Sequence, residues 1–213
     1  PIFERLKEQC ELESILNPKV VWGWWPCNSD GNDVVLFDPI DHDKEICRFT
    51  FPRQTKRLQR CISDFFRPLD SVHQGERDVI GMSCVTVGSE VSKRAKMLFE
   101  EDEYAEYLYL HGMGVECAEA LAEYWHKNMR AEIGIGEDDG TTPKELFAQG
   151  YRGSRYSFGY PACPDMSKQE LLFNLLEPER IGCSLTENWE IVPEQSTSAL
   201  IVHHPQAKYF SAK

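Results

Sequence analysis

The amino-acid sequence predicts a single α+β domain built on a twisted antiparallel sheet. Candidate strands lie in groups adjacent along the chain, candidate helices cluster between those groups, and no strand–helix–strand rhythm recurs. The chain has 213 residues, of which 41% are hydrophobic and 27% charged, and such a chain can bury a substantial core. We therefore expect one domain over residues 1–213.

The first predicted element is an amphipathic helix, which the Asn-Pro pair at 17–18 ends. Its apolar positions, which fall roughly on one face, are Ile2, Leu6, Cys10 and Leu12.

Strand-sized segments follow, and the first three are expected to form an antiparallel meander. They cover residues 20–25, 34–37 and 45–51, and an Asn-Ser-Asp-Gly-Asn cluster at 28–32 is typical of a turn. Residues 78–87 are apolar enough to form a central strand.

Residues 89–133 are rich in Ala, Leu, Glu, Lys and Met and contain no proline, which favours one or two long helices. Gly112 and Gly114 are expected to mark a kink or break. Residues 134–140 then predict a flexible acidic loop, and Thr142-Pro143 begins a short helix.

The last third is predicted to contain a shaped loop, a helix and a closing hairpin. The loop covers residues 151–164, with two arginines, two glycines and two prolines, and is expected to be neither helix nor strand. A capping box at 167–170 starts a helix through residue 176, and the hairpin pairs residues 184–192 with 198–203.

The loop also carries a recognisable pattern. Residues 155–164 resemble the R-x-x-x-G-Y-P-A-C-P motif of the activation domain of cobalamin-dependent methionine synthase. Residues 204–210 are similar to that family's H-P-x-x-K-Y-[FY] segment, residues 118–124 to its A-E-A-x-A-E-Y helix, and residues 16–23 to its L-N-P-x-x-V-x-G segment. The resemblance spans nearly the whole chain and implies a C-shaped or helmet-like domain that binds S-adenosylmethionine.

The resemblance also implies the residues of the binding site. Arg155 would hold the ligand's carboxylate, and Glu119 would face its ammonium or sulfonium. Tyr160 and Tyr209 would cover the adenosyl group or the sulfonium, whereas Ser157, Gly159 and Ala162 would act through their backbone or shape.

From the residues alone, alternatives stay open at several of these positions. Arg155 could pair with a surface carboxylate, and any one of Glu116, Glu119 and Glu123 could contact the ligand, since they lie one turn apart. Cys163 favours packing over nucleophilic chemistry, because no histidine near it in the sequence could activate the thiol. His204 is interpreted as a positioned residue, and Phe210 as core.

Composition excludes several other classes of protein. The formal net charge of −12 disfavours nucleic-acid binding, and no apolar run reaches the roughly 18 residues of a membrane span. The eight cysteines are widely spaced without a C-x-x-C pair, which predicts reduced thiols in a cytoplasmic protein and no metal site.

The family implies a role in reductive reactivation. The domain would present the methyl group of S-adenosylmethionine to cobalamin held by a neighbouring domain of the same polypeptide, with electrons from a flavodoxin-type donor. The family's additional N-terminal portion, with an acidic residue of the ligand site, lies before Pro1, so we expect a fragment of a larger methyltransferase that binds weakly and is itself inactive. The alternatives are a non-catalytic module or a stand-alone relative that docks a corrinoid domain or a flavoprotein.

Overall fold

A computed structural model describes residues 2–56, 58–71 and 76–212 of the chain; the expectation about Pro1 lies outside them. The α-helices are α1 (Ile2–Leu12), α2 (Glu90–Glu100), α3 (Tyr104–Glu132), α4 (Pro143–Phe147) and α5 (Gln169–Leu176). The strands are β1 (Lys19–Asp30), β2 (Asp33–Phe37), β3 (Glu45–Thr50), β4 (Asp78–Thr86), β5 (Ser154–Tyr156), β6 (Ser184–Leu185), β7 (Ile191–Val192) and β8 (Ser196–Val202).

The main sheet has six strands in the order β3-β2-β1-β4-β8-β5, and every neighbouring pair is antiparallel. Strands β6 and β7 pair separately as a small hairpin. The predicted α+β class, the β1-β2-β3 meander and the central position of β4 are confirmed.

Helices cover both faces of this sheet. Along β8, Leu200 and Val202 point into the largest apolar cluster, which includes Leu172 of α5. Ala199 and Ile201 alternate with them and pack on the opposite face with α3. The sheet therefore lies between α5 on one face and α3 on the other, and α3 packs directly on β8.

A pair of indoles fixes the C-terminal end of α3 to β1. Trp22 and Trp24 both donate a hydrogen bond from Nε1 to the carboxylate of Glu132, at 3.0 Å each to its nearer oxygen. The ring of Trp125 meets that of Trp22 edge-on, with centroids 4.5 Å apart. These contacts fix the position of the C-terminal part of α3 on the sheet.

Two predictions about the first third are wrong in detail. Strand β1 continues through the predicted turn cluster to Asp30, because residues 27–30 pair with β2, and the chain reverses only at Gly31 and Asn32. Helix α1 forms, but it ends at Leu12, before the Asn-Pro pair at 17–18 that was predicted to end it. Ile2 and Leu12 are exposed, and only two of its apolar side chains are buried.

The break between α2 and α3 does not occur at the glycines. Helix α3 runs unbroken through Gly112 and Gly114, and the chain turns instead at residues 101–103, where Asp102 has φ +64°. A Cβ on Gly114 would lie 2.9 Å from a methyl group of Val91, so this glycine permits close packing of α2 on α3. The prediction of a kink or break at either glycine is wrong.

Later segments differ from prediction in three further ways. The acidic loop contains a short 3-10 helix at Gly136–Asp138 and is anchored by Asp139. The capping box is absent, because Asp165 caps a 3-10 helix that precedes α5. The closing hairpin is also wrong, since β8 pairs with β4 and β5.

Candidate functional site

The candidate site begins at β5, the edge strand that was predicted to be loop. Arg155 lies in the middle of this strand opposite Ile201, whose side chain packs on the α3 side of the sheet beside Met129. Because side chains alternate along a strand, Ser154 and Tyr156 point to the other face, where both are buried. Arg155 therefore points towards α3.

Two carboxylates on α3 meet this arginine. Nη2 of Arg155 lies 3.2 Å from Oε2 of Glu123 and 3.9 Å from Oε2 of Glu119, one turn earlier on the helix. The arginine side chain is about one fifth exposed, so these charges interact partly shielded from water. The sequence left open that Arg155 pairs with a carboxylate of the protein, and its contact with Glu123 is such a pair.

A tight turn shapes the loop after β5. Gly159 has φ +85° and donates its N–H to the carbonyl of Cys163 at 2.9 Å, while Cys163 N–H donates to the carbonyl of Tyr160 at 2.8 Å. A Cβ on Gly159 would lie 2.7 Å from Sδ of Met166. Gly159 therefore shapes this turn through its backbone.

Cys163 is a packing residue, as the sequence favoured. Its side chain is buried, and burial together with the nearby Asp165 carboxylate raises the pKa of the thiol to about 12. The thiol therefore keeps its proton at neutral pH and is not a nucleophile.

The C-terminal segment is fastened through Lys208 to the residues that precede β5. Its Nζ donates to the backbone carbonyls of Gln149 and Tyr151 at 2.8 Å and 3.3 Å. Tyr209, the next residue, is exposed, whereas Phe210 is buried in the main core, as predicted. The segment thus places the Tyr209 ring at the surface beside β5.

These segments enclose a cavity of about 180 Å³. It is lined by Glu119, Arg155, Tyr156, Ser157, Tyr160, Ala162 and Tyr209. Six of the seven predicted site residues line it, and Gly159, the seventh, forms the adjoining turn. The structure thus brings together residues from α3, β5, the loop and the C-terminal segment.

Larger cavities adjoin this one on two sides. One of about 690 Å³ shares Ser157 and Tyr160 with it, and one of about 780 Å³ shares Glu119, Arg155 and Tyr209. Ligand-binding clefts typically measure about 300–1,000 Å³. The small cavity therefore lies between two larger ones with which it shares lining residues, and the three together form the groove discussed here.

The two adjacent histidines lie outside this groove's central cavity. His203 contacts Asp78 at 2.7 Å, and the His204 ring packs against that of Phe65 in a tilted arrangement, with centroids 5.7 Å apart. Burial and the neighbouring His203 lower the pKa of His204, so it is neutral at pH 7. These contacts agree with the interpretation of His204 as a positioned residue.

Sequence reasoning missed two supporting residues, Tyr156 and Lys208, and left Glu123 among three candidates. Lys208 had a usable signal, because it is the lysine of the terminal pattern at residues 204–210. Tyr156 had no such signal, because its hydroxyl contacts the backbone of Lys208, which lies 52 positions later in the sequence.

Metal-holding side-chain groups and membrane-spanning helices are both absent from the residues that the structure describes. Within them, no three His, Cys, Asp or Glu side chains form a group able to hold a metal ion. The same residues include no helix with the length and apolar character needed to cross a membrane.

Several known proteins are similar to this chain. A family model described as "Vitamin B12 dependent methionine synthase, activation domain" matches residues 4–213. Methionine synthase of Mycobacterium tuberculosis (strain ATCC 25618 / H37Rv) is 43% identical over 200 residues, and that of Mycobacterium leprae (strain TN) is 42% identical over the same length. Each match covers 90% of this chain and 17% of the relative, so the chain spans about a sixth of these proteins.

A solved structure shares the fold. It is described as "Crystal Structure of the MetH Reactivation Domain bound to AdoHcy" and aligns with a TM-score of 0.91 at 29% identity. The alignment covers 99% of this chain and 67% of that one.

Proposed function

The chain belongs to the activation-domain family of vitamin B12-dependent methionine synthase, and on this premise we propose that it binds S-adenosylmethionine in the groove around Arg155. One observation carries the proposal: a single cavity collects a cation, Arg155, an anion, Glu119, and two exposed tyrosines from distant parts of the chain. The likeness to a reactivation domain that holds AdoHcy supports the same ligand class.

The charges of the cavity complement those of the ligand. The Arg155 guanidinium offers a planar pair of N–H donors to the α-carboxylate, and the Glu119 carboxylate pairs with the α-ammonium. Tyr160 and Tyr209 offer ring faces to the adenosyl group and the sulfonium. Ser157 and Ala162 line the same cavity beside them.

The chemistry required of the chain is positioning. Arg155, Glu119 and the two tyrosines would hold S-adenosylmethionine by its other groups and orient it for transfer of the sulfonium methyl. The electron pair that accepts the methyl group would come from reduced cobalamin held by a neighbouring domain. The donor leaves as a neutral thioether, so no general base is required.

This function belongs to a longer protein. We assign residues 1–213 to one domain of a cytoplasmic methyltransferase that forms methionine from homocysteine, with the cobalamin domain on the same polypeptide and a flavodoxin-type electron donor. Binding, and not turnover, is the property assigned to the isolated chain.

Calorimetry on the isolated chain tests the proposal. We expect saturable S-adenosylmethionine binding by the parent chain, and a loss of at least about tenfold in affinity on Arg155→Ala, since a charged hydrogen-bond partner is removed. Arg5→Ala is the matched control, because Arg5 forms an exposed pair with Glu106 on α3. No binding by the parent, or equal binding by Arg155→Ala, would refute the proposal.

A further inference from the structure

Three glutamates follow one another along the outer side of α3 at one-turn spacing. Glu116, Glu119 and Glu123 all line the 780 Å³ cavity, but only Glu119 also lines the central cavity of the groove. Their spacing in the sequence does not show which of them contacts a ligand. Their surroundings in the structure do distinguish them.

Glu123 is the glutamate held by other protein groups. Its Oε2 accepts from Nη2 of Arg155 at 3.2 Å and, at the longer distance of 3.5 Å, from the hydroxyl of Tyr151. Glu119 lies 3.9 Å from the same arginine nitrogen, and its side chain is 53% exposed, against 36% for Glu123. Glu119 is therefore the more available of the two to a ligand.

Tyr151 is itself held by a buried ion pair. The guanidinium of Arg130 lies 4.0 Å from the centre of the tyrosine ring, and the ring of His126 meets it edge-on at 5.3 Å. Arg130 is 1% exposed, and its Nη2 donates to the carboxylate of Asp139 at 2.6 Å. Glu123 thus contacts a fixed ring.

The hydroxyl of Tyr151 acts as a donor at neutral pH. Burial, and then the nearby Glu123 carboxylate, raises the pKa of this phenol. The proton therefore stays on Tyr151, which leaves the Glu123 carboxylate as acceptor for both the phenol and the guanidinium.

We infer that Glu123 is a positioning residue: it holds the guanidinium of Arg155 for the ligand's carboxylate, and Glu119 remains free for the ligand's ammonium. The inference rests on the proposed binding of S-adenosylmethionine. Glu123 contacts only Nη2, and the two N–H groups of that nitrogen belong to different donor edges of the guanidinium, one shared with Nε and one with Nη1. One of these edges therefore stays available to a second carboxylate.

The two roles predict different responses to the two charged groups of the ligand. S-adenosylmethionine carries both a carboxylate and an ammonium, whereas decarboxylated S-adenosylmethionine keeps only the ammonium. A residue that acts through Arg155 affects only the ligand with a carboxylate. A residue that contacts the ammonium affects both.

Titration calorimetry with both compounds on the isolated chain separates the roles. We expect Glu123→Gln to weaken binding of S-adenosylmethionine about tenfold and to change that of the decarboxylated compound by less than about twofold. Glu119→Gln is expected to weaken both. Glu106→Gln, which removes a charge on the same helix at the exposed pair with Arg5, is the matched control and is expected to weaken neither.

Several outcomes would overturn the inference. Equal weakening of both compounds by Glu123→Gln would make Glu123 a ligand contact or a purely structural residue, and thermal unfolding of the variant distinguishes these two. Tighter binding of S-adenosylmethionine would show that Glu123 competes with the ligand for Arg155, and unchanged binding would show that it does not position the arginine. If the parent chain binds neither compound, the proposed function itself fails, and the inference fails with it.

Discussion

The phenol of Tyr156 donates a 2.9 Å hydrogen bond to the backbone carbonyl of Lys208, which fastens β5 to the C-terminal segment. Each of these residues is next in sequence to a site residue, Arg155 in one case and Tyr209 in the other. Burial raises the pKa of Tyr156, so the hydroxyl keeps its proton at neutral pH and remains a donor. This bond sets the separation of two walls of the cavity.

Tyr156→Phe is expected to lower the free energy of unfolding by about 1 kcal/mol, because a carbonyl loses its buried donor. It should also weaken S-adenosylmethionine binding, since Tyr209 loses its tether to β5. Urea unfolding and calorimetry measure the two effects. Tyr104→Phe, at an exposed tyrosine on α3, is the control, and equal behaviour of the two variants would contradict the prediction.

Gly153→Ala is expected to destabilise the fold by about 1–3 kcal/mol, because Gly153 has φ +90° immediately before β5. An added Cβ would also lie 2.5 Å from the carbonyl oxygen of Val202. Gly112→Ala is a control of opposite sign, with no atom within 4 Å of the new Cβ, and should stabilise α3 by about 0.5–1 kcal/mol. Thermal unfolding of both variants tests this, and similar changes in the two would show the prediction to be wrong.

Asp139→Asn is expected to lower the free energy of unfolding by about 3 kcal/mol, since it leaves the buried guanidinium of Arg130 without a counter-charge. Denaturant unfolding provides the measurement. Glu90→Gln breaks an exposed ion pair with Lys93 on α2 and should have no measurable effect. A small loss in Asp139→Asn would mean that the 139 loop moves to expose Arg130.

Asp78→Asn is expected to change how stability depends on pH. Burial alone would raise the pKa of Asp78, but hydrogen bonds from His203 and backbone N–H groups hold it below its ordinary value. The resulting stabilisation is present above the unfolded pKa of about 4 and is lost as pH falls through the lower folded pKa. The variant should therefore be about 2 kcal/mol less stable at pH 7.

Unfolding of both proteins as a function of pH checks this expectation. The difference between parent and Asp78→Asn should shrink as the pH falls below about 4. A difference that stays constant down to the most acidic conditions would attribute the loss to packing and not to the charge of Asp78.

Local sequence patterns predicted most of the fold, because most elements are decided within a few residues. Thr142 caps α4 through its own side chain, with Pro143 at the first turn, and the structure has that helix where the sequence placed it. Strands β1 to β4 are apolar, lie between turn signals, and were found with errors of a few residues at their ends.

The misplaced elements depend on distant contacts. Strand β5 has three residues between glycine-rich turns, and it forms because β8 offers a sheet edge to Arg155 and its neighbours. The break at Asp102 falls in an acidic run without glycine or proline, whereas Gly114 serves a contact with Val91. Neither the formation of β5 nor the position of this break can be predicted from the spacing of residues along the chain.

The site was easier to locate than to interpret. The motif at residues 155–164 named most of the cavity wall, but the distinct surroundings of Glu119 and Glu123 depend on Tyr151, which reaches α3 only through the packing of the 139–155 segment. The buried pair of Arg130 and Asp139 had no sequence signal, because its carboxylate lies in a stretch typical of a solvated loop.

Two tryptophans that share the carboxylate of Glu132 provide an internal fluorescence probe in this protein. Trp22 and Trp24 report on the same end of α3, and Glu119, 13 residues earlier on that helix, lies about 20 Å away along its axis. A ligand that tilted or shifted α3 would alter the polarity around two indoles at once. Tryptophan emission would then follow occupancy of the groove in the unlabelled chain, without a dye and without a substitution near the site.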